Sequence, residues 1–304
     1  MEKTLTREIL KKVRRIEVRT RRMVDDTLAG SYHSVFKGRG MNFDEVREYV
    51  PGDEIRTIDW NVTARTGVPH VKKFTEEREL TIMLMIDISG SGGFGSGPQS
   101  KREMMAELGS VLAFSAVRNN DKVGLILFSD FVELFIPPAK GRSHILRVIR
   151  EILFFQPRGR GTDIGEALDF VNRVSKRKCV TFLLSDFCLP DDFSDSLEQI
   201  RPKLLITSRR HDLITVMVSD PRERELPDVG WITLEDAETG EQIIVNTADS
   251  WTRRAYKNLA DDRLQQFTKT IHSAGIDLLE LSTDKPYLAS LTGFFRARKR
   301  RLSR

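Results

Sequence analysis

Residues 81–97 read TIMLMIDISGSGGFGSG, an apolar run that ends at an aspartate and opens into serines and glycines. Ile82, Met83, Leu84, Met85 and Ile86 have the length and unbroken apolarity of a strand buried on both faces, and Asp87 falls where such a strand leaves its sheet. In open α/β sheets that exit is where ligands bind. The question for the rest of the chain is what joins Asp87, Ser89 and Ser91 there.

Downstream, apolar residues at helical spacing (Met104, Met105, Leu108, Val111, Leu112) predict a helix over 101–119. Two apolar runs, 122–128 and 131–136, are split by Ser129-Asp130 and ended by Pro137-Pro138, which predicts a hairpin. Helices over 143–154 and 163–175 flank the loop QPRGRGT at 156–162, and a strand over 179–184 ends in Ser185-Asp186. A helix over 194–203 and a strand over 213–219 follow. Runs 230–234 and 242–245, around Glu238-Thr239-Gly240-Glu241, predict a hairpin inserted at about 221–247. A helix over 250–274, a strand over 276–281 and a helix over 286–298 complete the pattern. Strands alternating with helices give an α/β, doubly wound, mostly parallel sheet with one antiparallel edge hairpin.

Upstream, Leu5, Ile9, Val13, Ile16, Val24 and Leu28 lie at helical spacing among many basic residues, so 5–28 reads as one amphipathic helix. Its apolar stripe suits packing on its own domain, a membrane surface or a partner. The next segment is irregular and dense in charge, with a tight turn expected at Pro51-Gly52. There Arg47, Arg56 and Arg65 interleave with Asp53, Glu54 and Asp59 beside Trp60. That pattern fits both an internal ion-pair network and a partner-binding surface. The expected organisation is an N-terminal helix and charged segment over 1–78 packed on the main domain, a main domain over 79–295, and a basic tail over 296–304.

The 304 residues carry a formal net charge of +5, and the tail RARKRRLSR contributes six basic residues and no acidic one. It reads as a solvated end that aids solubility, with nucleic acid or anionic lipid as the alternative contact. No apolar run approaches the roughly 18 residues that span a bilayer, and the N-terminus lacks the apolar core of a signal peptide, so a cytoplasmic location is expected. Two cysteines, Cys179 and Cys188, are too few for a disulfide framework or a cysteine zinc site and are expected to be reduced, mostly buried thiols. The five histidines are scattered outside the motifs.

Three strand-exit features now converge: Asp87-x-Ser89-x-Ser91, Thr162-Asp163, and Asp186. Loops at the carboxyl edge of a doubly wound sheet share a cavity, so these oxygens can meet. Two carboxylates and three hydroxyls suit a hard cation, Mg2+ or Mn2+, with hydroxyls bound directly and the aspartates holding waters. Neutral hydroxyls quench little of the ion's charge, which leaves it electrophilic toward a partner's carboxylate at an open position. The bland alternative is that the serines and the threonine only cap helices.

This pattern resembles the metal-ion-dependent adhesion site of the von Willebrand factor A fold, D-x-S-x-S followed by a threonine and then an aspartate. Asp87, Ser89, Ser91, Thr162 and Asp186 fill its five places, and GTDIGEAL at 161–168 and LLSDF at 183–187 are similar to that fold as well. The stretch GRGMNFDEVREYVPGDEIRTIDWNVTAR at 38–65 resembles the hallmark of the "domain of unknown function 58" proteins. That resemblance implies a bacterial, metal-bearing interaction module that works with a MoxR-type AAA+ ATPase in chaperone-like maturation or assembly of client proteins. It implies no small-molecule substrate and no defined catalysis. The glycine-rich residues 92–97 depart from the pattern, and a loose loop is expected there.

Rival readings fit less well. GSGGFG at 90–95 matches a dinucleotide fingerprint, but Asp87 and Ser89 would crowd the pyrophosphate and no strand end places the ribose-binding acid. GRG at 159–161 is followed by no Gly-Lys-Ser/Thr. A metal-dependent phosphotransferase or hydrolase with Asp87 as nucleophile is the enzyme alternative. Against it, Ser89 stands where haloacid dehalogenase-type enzymes place a second aspartate, and the motif includes no histidine, lysine or cysteine as base or nucleophile. Nucleic-acid binding lacks interleaved aromatics or a recognisable module.

Overall fold

A computed structural model describes residues 42–75, 79–189 and 193–302; the helix expected over 5–28 and the first residues of the hallmark segment, 38–41, lie outside them. Most of the charged segment is regular rather than irregular. β1 (Asn42–Glu48) pairs antiparallel with β2 (His70–Thr75), and α1 (Trp60–Thr66) lies between them in the chain. The turn expected at Pro51-Gly52 is present, closed by Asp53 N–H on the Val50 carbonyl at 3.0 Å with Gly52 at φ +113°. Asp59 caps α1 by accepting from the N–H groups of Asn61 (3.0 Å) and Val62 (3.3 Å).

The strand expected at the centre is there as β3 (Thr81–Asp87), buried from Ile82 to Asp87. Its neighbours are β4 (Lys122–Phe128) and β5 (Val132–Ala139) on one side, and β6 (Val180–Ser185), β7 (Asp212–Ser219) and β10 (Asp277–Ser282) on the other. The order β10-β7-β6-β3-β4-β5 is parallel except at the β4–β5 edge hairpin. The hairpin β8 (Trp231–Glu235) and β9 (Gln242–Asn246) stands outside this sheet as a separate antiparallel pair.

Alternation along β3 sends side chains to both faces. Ile82, Leu84 and Ile86 join a core with residues of α2 (Lys101–Arg118), α3 (Arg142–Phe154) and α7 (Tyr287–Leu302). Met83 and Met85 join a second core with α4 (Ile164–Val174), α5 (Phe193–Arg210) and α6 (Ser250–Ser273). Each fully buried Leu or Ile contributes about 1.5–3 kcal/mol, so these two layers fix the sheet's position between them. The next strand after β3 lies on one side of it and β6 on the other, which makes the carboxyl edge between β3 and β6 a topological switch point.

Two helices run further than the sequence indicates. α5 passes through Pro202 to Arg210, because the buried stripe Leu197, Ile200, Leu204 and Thr207 continues past the missing N–H. α7 absorbs the basic tail up to Leu302. Arg298 is buried there, not solvated, and its guanidinium bonds Asp212 and Asp277 at the amino ends of β7 and β10, each at 2.5 Å, with Arg301 also on Asp277. Among the described residues no helix is long and apolar enough to cross a membrane.

Candidate metal centre

Strand register sets the site. Asp87 lies opposite Phe128 of β4, and Ile86 lies opposite Leu184 of β6, so Ser185 and Asp186 leave the sheet beside Asp87. Asp87 is buried, and both its oxygens are held: Oδ1 accepts from the Ser89 N–H at 2.9 Å and Oδ2 from the Ser185 hydroxyl at 2.6 Å. The Ser89 and Ser91 hydroxyl oxygens lie 3.1 Å apart. The loop that carries Thr162 is tied to the motif where the Gly90 N–H bonds the Arg160 carbonyl at 2.8 Å. Asp186, also buried, accepts from the Cys188 N–H through Oδ1 at 3.1 Å. Burial, and then the Asp186 carboxylate, push Asp87 up to about 7.

The glycine-rich loop is tied down rather than slack. Residues Gly90–Gly93 form one 3-10 turn. Ser96 donates its N–H (2.9 Å) and hydroxyl (2.6 Å) to the buried Asp220 at the end of β7. Gly95 packs so closely that a Cβ there would lie 2.7 Å from Ser100 Cα. These contacts lead into α2, whose start is fixed by a capping box between Ser100 and Glu103.

That start places a residue the sequence reading did not include. Lys101, the first residue of α2, is fully buried and donates to Asp186 Oδ2 at 2.6 Å and to Glu223 of the turn after β7. A lysine at a helix N-terminus opposes the helix dipole, and that misplacement was the available signal. Burial works to lower its affinity for the proton, but the charges of Asp186, Cys188 and Glu223 outweigh it and hold the amine above its ordinary range. The expectation of no lysine or cysteine in the constellation is therefore corrected, yet neither group is a ready base or nucleophile. Lys101 stays protonated. Cys188 is exposed as a residue, contrary to expectation, but its sulfur is crowded by protein, and burial and then Asp186 push the thiol well above its ordinary range. Cys179 is buried as expected, and both thiols are free.

A second unforeseen group is Glu238, on the β8–β9 turn, which accepts from the Thr162 hydroxyl at 2.8 Å. Burial raises its pKa, helped by the charges of Asp186, Asp236 and Asp130. Nothing local in the sequence ties residue 238 to residue 162.

The arrangement fits a hard cation by its donor chemistry. The charge of Asp186 acts on Asp87, Glu223 and Glu238, with Lys101 paired to Asp186 and Glu223, and the three hydroxyls offer neutral oxygens. Asp186, Cys188 and Glu223 also present ligand atoms within 4.8 Å of one another. Lys101 already bridges the two carboxylates of that trio; the set Asp87, Ser89, Ser91, Thr162 and Asp186 shares Asp186 with it and adds three neutral oxygens, which suits it as the candidate site for a divalent ion.

The other singled-out residues lie in the β1–α1–β2 segment. Arg47 and Asp53 form a two-pronged pair at 2.8 and 2.7 Å, and Asp59 is the α1 cap. Arg56, Trp60 and Arg65 are exposed.

So described, the molecule is an open α/β protein with an acid-and-hydroxyl cluster at the carboxyl edge of its central strands. The family model described as "Protein of unknown function DUF58" matches residues 45–266, and the chain belongs to that family. It is 32% identical over 294 residues to the uncharacterized proteins Rv1480 of Mycobacterium tuberculosis and Mb1516 of Mycobacterium bovis, covering 95% of this chain and 89% of each relative. Solved structures similar to it are more distant. An aerotolerance-related membrane protein from Bacteroides fragilis aligns over 73% of this chain and 99% of its own, at 16% identity and TM-score 0.48. The SpRpn10 VWA domain aligns over 71% and 94%, at 14% identity and TM-score 0.39. Proximal thread matrix protein 1 from the mussel byssus, with a zinc-occupied MIDAS motif, aligns over 47% and 39%, at 19% identity and TM-score 0.34. The fold stands on the sheet order itself.

Proposed function

We propose that this chain is a metal-dependent protein-interaction module. Asp87, Ser89, Ser91, Thr162 and Asp186 hold Mg2+, or Mn2+ in its place, and the ion presents an open position to a carboxylate of a partner protein. The partner is a MoxR-type AAA+ ATPase or its client, and the module acts as the adaptor between them in the cytoplasm. The observation that carries the reading is the meeting of two buried aspartates, Asp87 and Asp186, from neighbouring strand exits, next to a pair of serine hydroxyls 3.1 Å apart. Two buried like charges repel, and a divalent ion is what makes such a pair favourable. The protein's own part is orientation: Ser185 and the Ser89 N–H aim Asp87, while Lys101 and the Cys188 N–H aim Asp186.

Calorimetry with Mn2+ tests the site. Asp87→Ala and Thr162→Ala are each expected to lose binding by about a hundredfold or more while the fold persists by circular dichroism. Retention of the ATPase on immobilised protein is expected to vanish with chelator and in the same variants. Unchanged Mn2+ affinity in both variants removes the site. Metal-dependent phosphoester turnover lost with Asp87→Asn replaces the adaptor with an enzyme.

A further inference from the structure

We propose that Glu238 is the chain's own carboxylate for the open position of the metal site, so that the β8–β9 hairpin is an internal stand-in for the acidic partner, which must displace it. This rests on the metal-site reading above and specifies how that site is regulated.

The geometry is specific to the turn. Thr162 donates its hydroxyl proton to Glu238 Oε1 at 2.8 Å, which leaves the threonine's lone pairs available to a cation and brings a carboxylate to the same place. The turn is rigid at that point: Asp236 Oδ1 accepts the N–H groups of both Glu238 and Thr239 at 2.8 Å, and Gly240 closes the turn at φ +76°. It is also seated on the site's own backbone. A Cβ on Gly90, between the two motif serines, would lie 2.4 Å from the Ala237 carbonyl oxygen, and one on Gly161 would lie 3.7 Å from Glu238 Oε2. Gly90, next to two proposed ligands, thus makes room for this turn, while Gly161 is in ordinary contact with Glu238.

The rest of the hairpin is built like an arm. Among the described residues its ladder bonds run only between β8 and β9, and Trp231 (71%), Ile243 (60%) and Ile244 (73%) are exposed. An isolated two-stranded hairpin is marginal by itself, so its attachments count. At the base, the buried Thr247 donates to the Gly230 carbonyl at 2.7 Å; at the tip, Glu238 meets Thr162. At the tip, the carboxylate itself is held by the Thr162 hydroxyl, a bond that an equivalent carboxylate can take over, while Ala237 packs against Gly90.

Mn2+ titration of the full chain, followed by water-proton relaxation, tests this with acetate as the free carboxylate. Glu238→Ala is expected to weaken Mn2+ about tenfold, to add one exchangeable water to the bound ion, and to let acetate suppress that water at lower concentration than in the unaltered protein. Gly90→Ala, which pushes on Ala237, should reproduce the extra water. Glu241→Ala, which removes the same charge from the same turn, should change neither reading. Affinity and relaxation unchanged in Glu238→Ala, with Mn2+ still lost in Asp87→Ala, overturn the internal ligand and leave the metal site standing. Absence of Mn2+ binding in the unaltered protein overturns both.

Discussion

The carboxyl edge of the sheet and the β1–α1–β2 segment are both crowded with charge, but they treat it in opposite ways. At the edge, Asp87, Asp186 and Lys101 are buried, and acid outnumbers base. In the segment, Arg47 matches Asp53 atom for atom, Asp59 caps a helix, and Glu54, Arg56 and Arg65 are exposed. Charge that is buried and unmatched strains a fold unless it serves a ligand, whereas charge that is exposed and matched needs no further explanation. The contrast supports the edge as the proposed site and the segment's exposed surface as the proposed place for a partner.

The largest expected effect strikes that contrast at Lys101. Lys101→Met leaves Asp186 and Glu223 facing each other without the ammonium, and loss of one partner from a buried pair costs about 3–5 kcal/mol. The melting temperature in chelator should fall by many degrees. Divalent ion should recover part of the loss, since a cation can then settle on the Asp186–Glu223 side. A Met variant as stable as the original would mean that these carboxylates are not held charged.

A smaller effect concerns Asp87 and pH. Its folded carboxyl keeps the proton up to about 7, whereas an ordinary one releases it near 3.8. Between those values the folded state binds more protons than the unfolded state, so this group's contribution to stability is full below about 4 and is lost as pH rises through about 7. The slope is at most about 1.4 kcal/mol per pH unit. Asp87→Asn removes it, so in chelator the variant should gain on the original protein steadily from pH 4 to 7 and no further above. Saturating Mn2+ should abolish the slope in the original protein. Parallel melting curves across that range would mean that neither burial nor the Asp186 charge raises the Asp87 carboxyl.

Much of this architecture was legible in the chain because strands buried on both faces are unbroken apolar runs, and because motif aspartates and hydroxyls sit at their exits. Asp87, Ser89, Ser91, Thr162 and Asp186 could be named for that reason. Lys101, Glu223 and Glu238 could not. Their roles depend on contacts across 85, 122 and 76 residues, set by loops whose paths no periodicity encodes. The slack expected of residues 92–97 was misread for the same reason: glycine signals freedom locally, but here Gly95 permits a close approach to Ser100, and Ser96 is fastened to Asp220. The basic tail likewise looked solvated because its acceptors, Asp212 and Asp277, belong to distant strands.

The smallest expected effect on the fold, and the one that separates the two regions most cleanly, lies at Trp60. It is 67% exposed, and Ile55 (67%) and Val50 (57%) are exposed in the same segment. Aromatic residues of this kind anchor interfaces. Among the described residues, the segment's turn and cap hydrogen bonds stay within it. Trp60→Ala should therefore leave both the melting temperature and Mn2+ affinity unchanged while lowering retention of the ATPase, and Asp53→Asn should leave all three nearly as they are. If Trp60→Ala instead weakens Mn2+, the two regions are coupled and the division of labour between ion and surface fails. If it changes nothing, partner recognition rests on the metal edge alone, and the hairpin carrying Glu238 becomes the surface to map next.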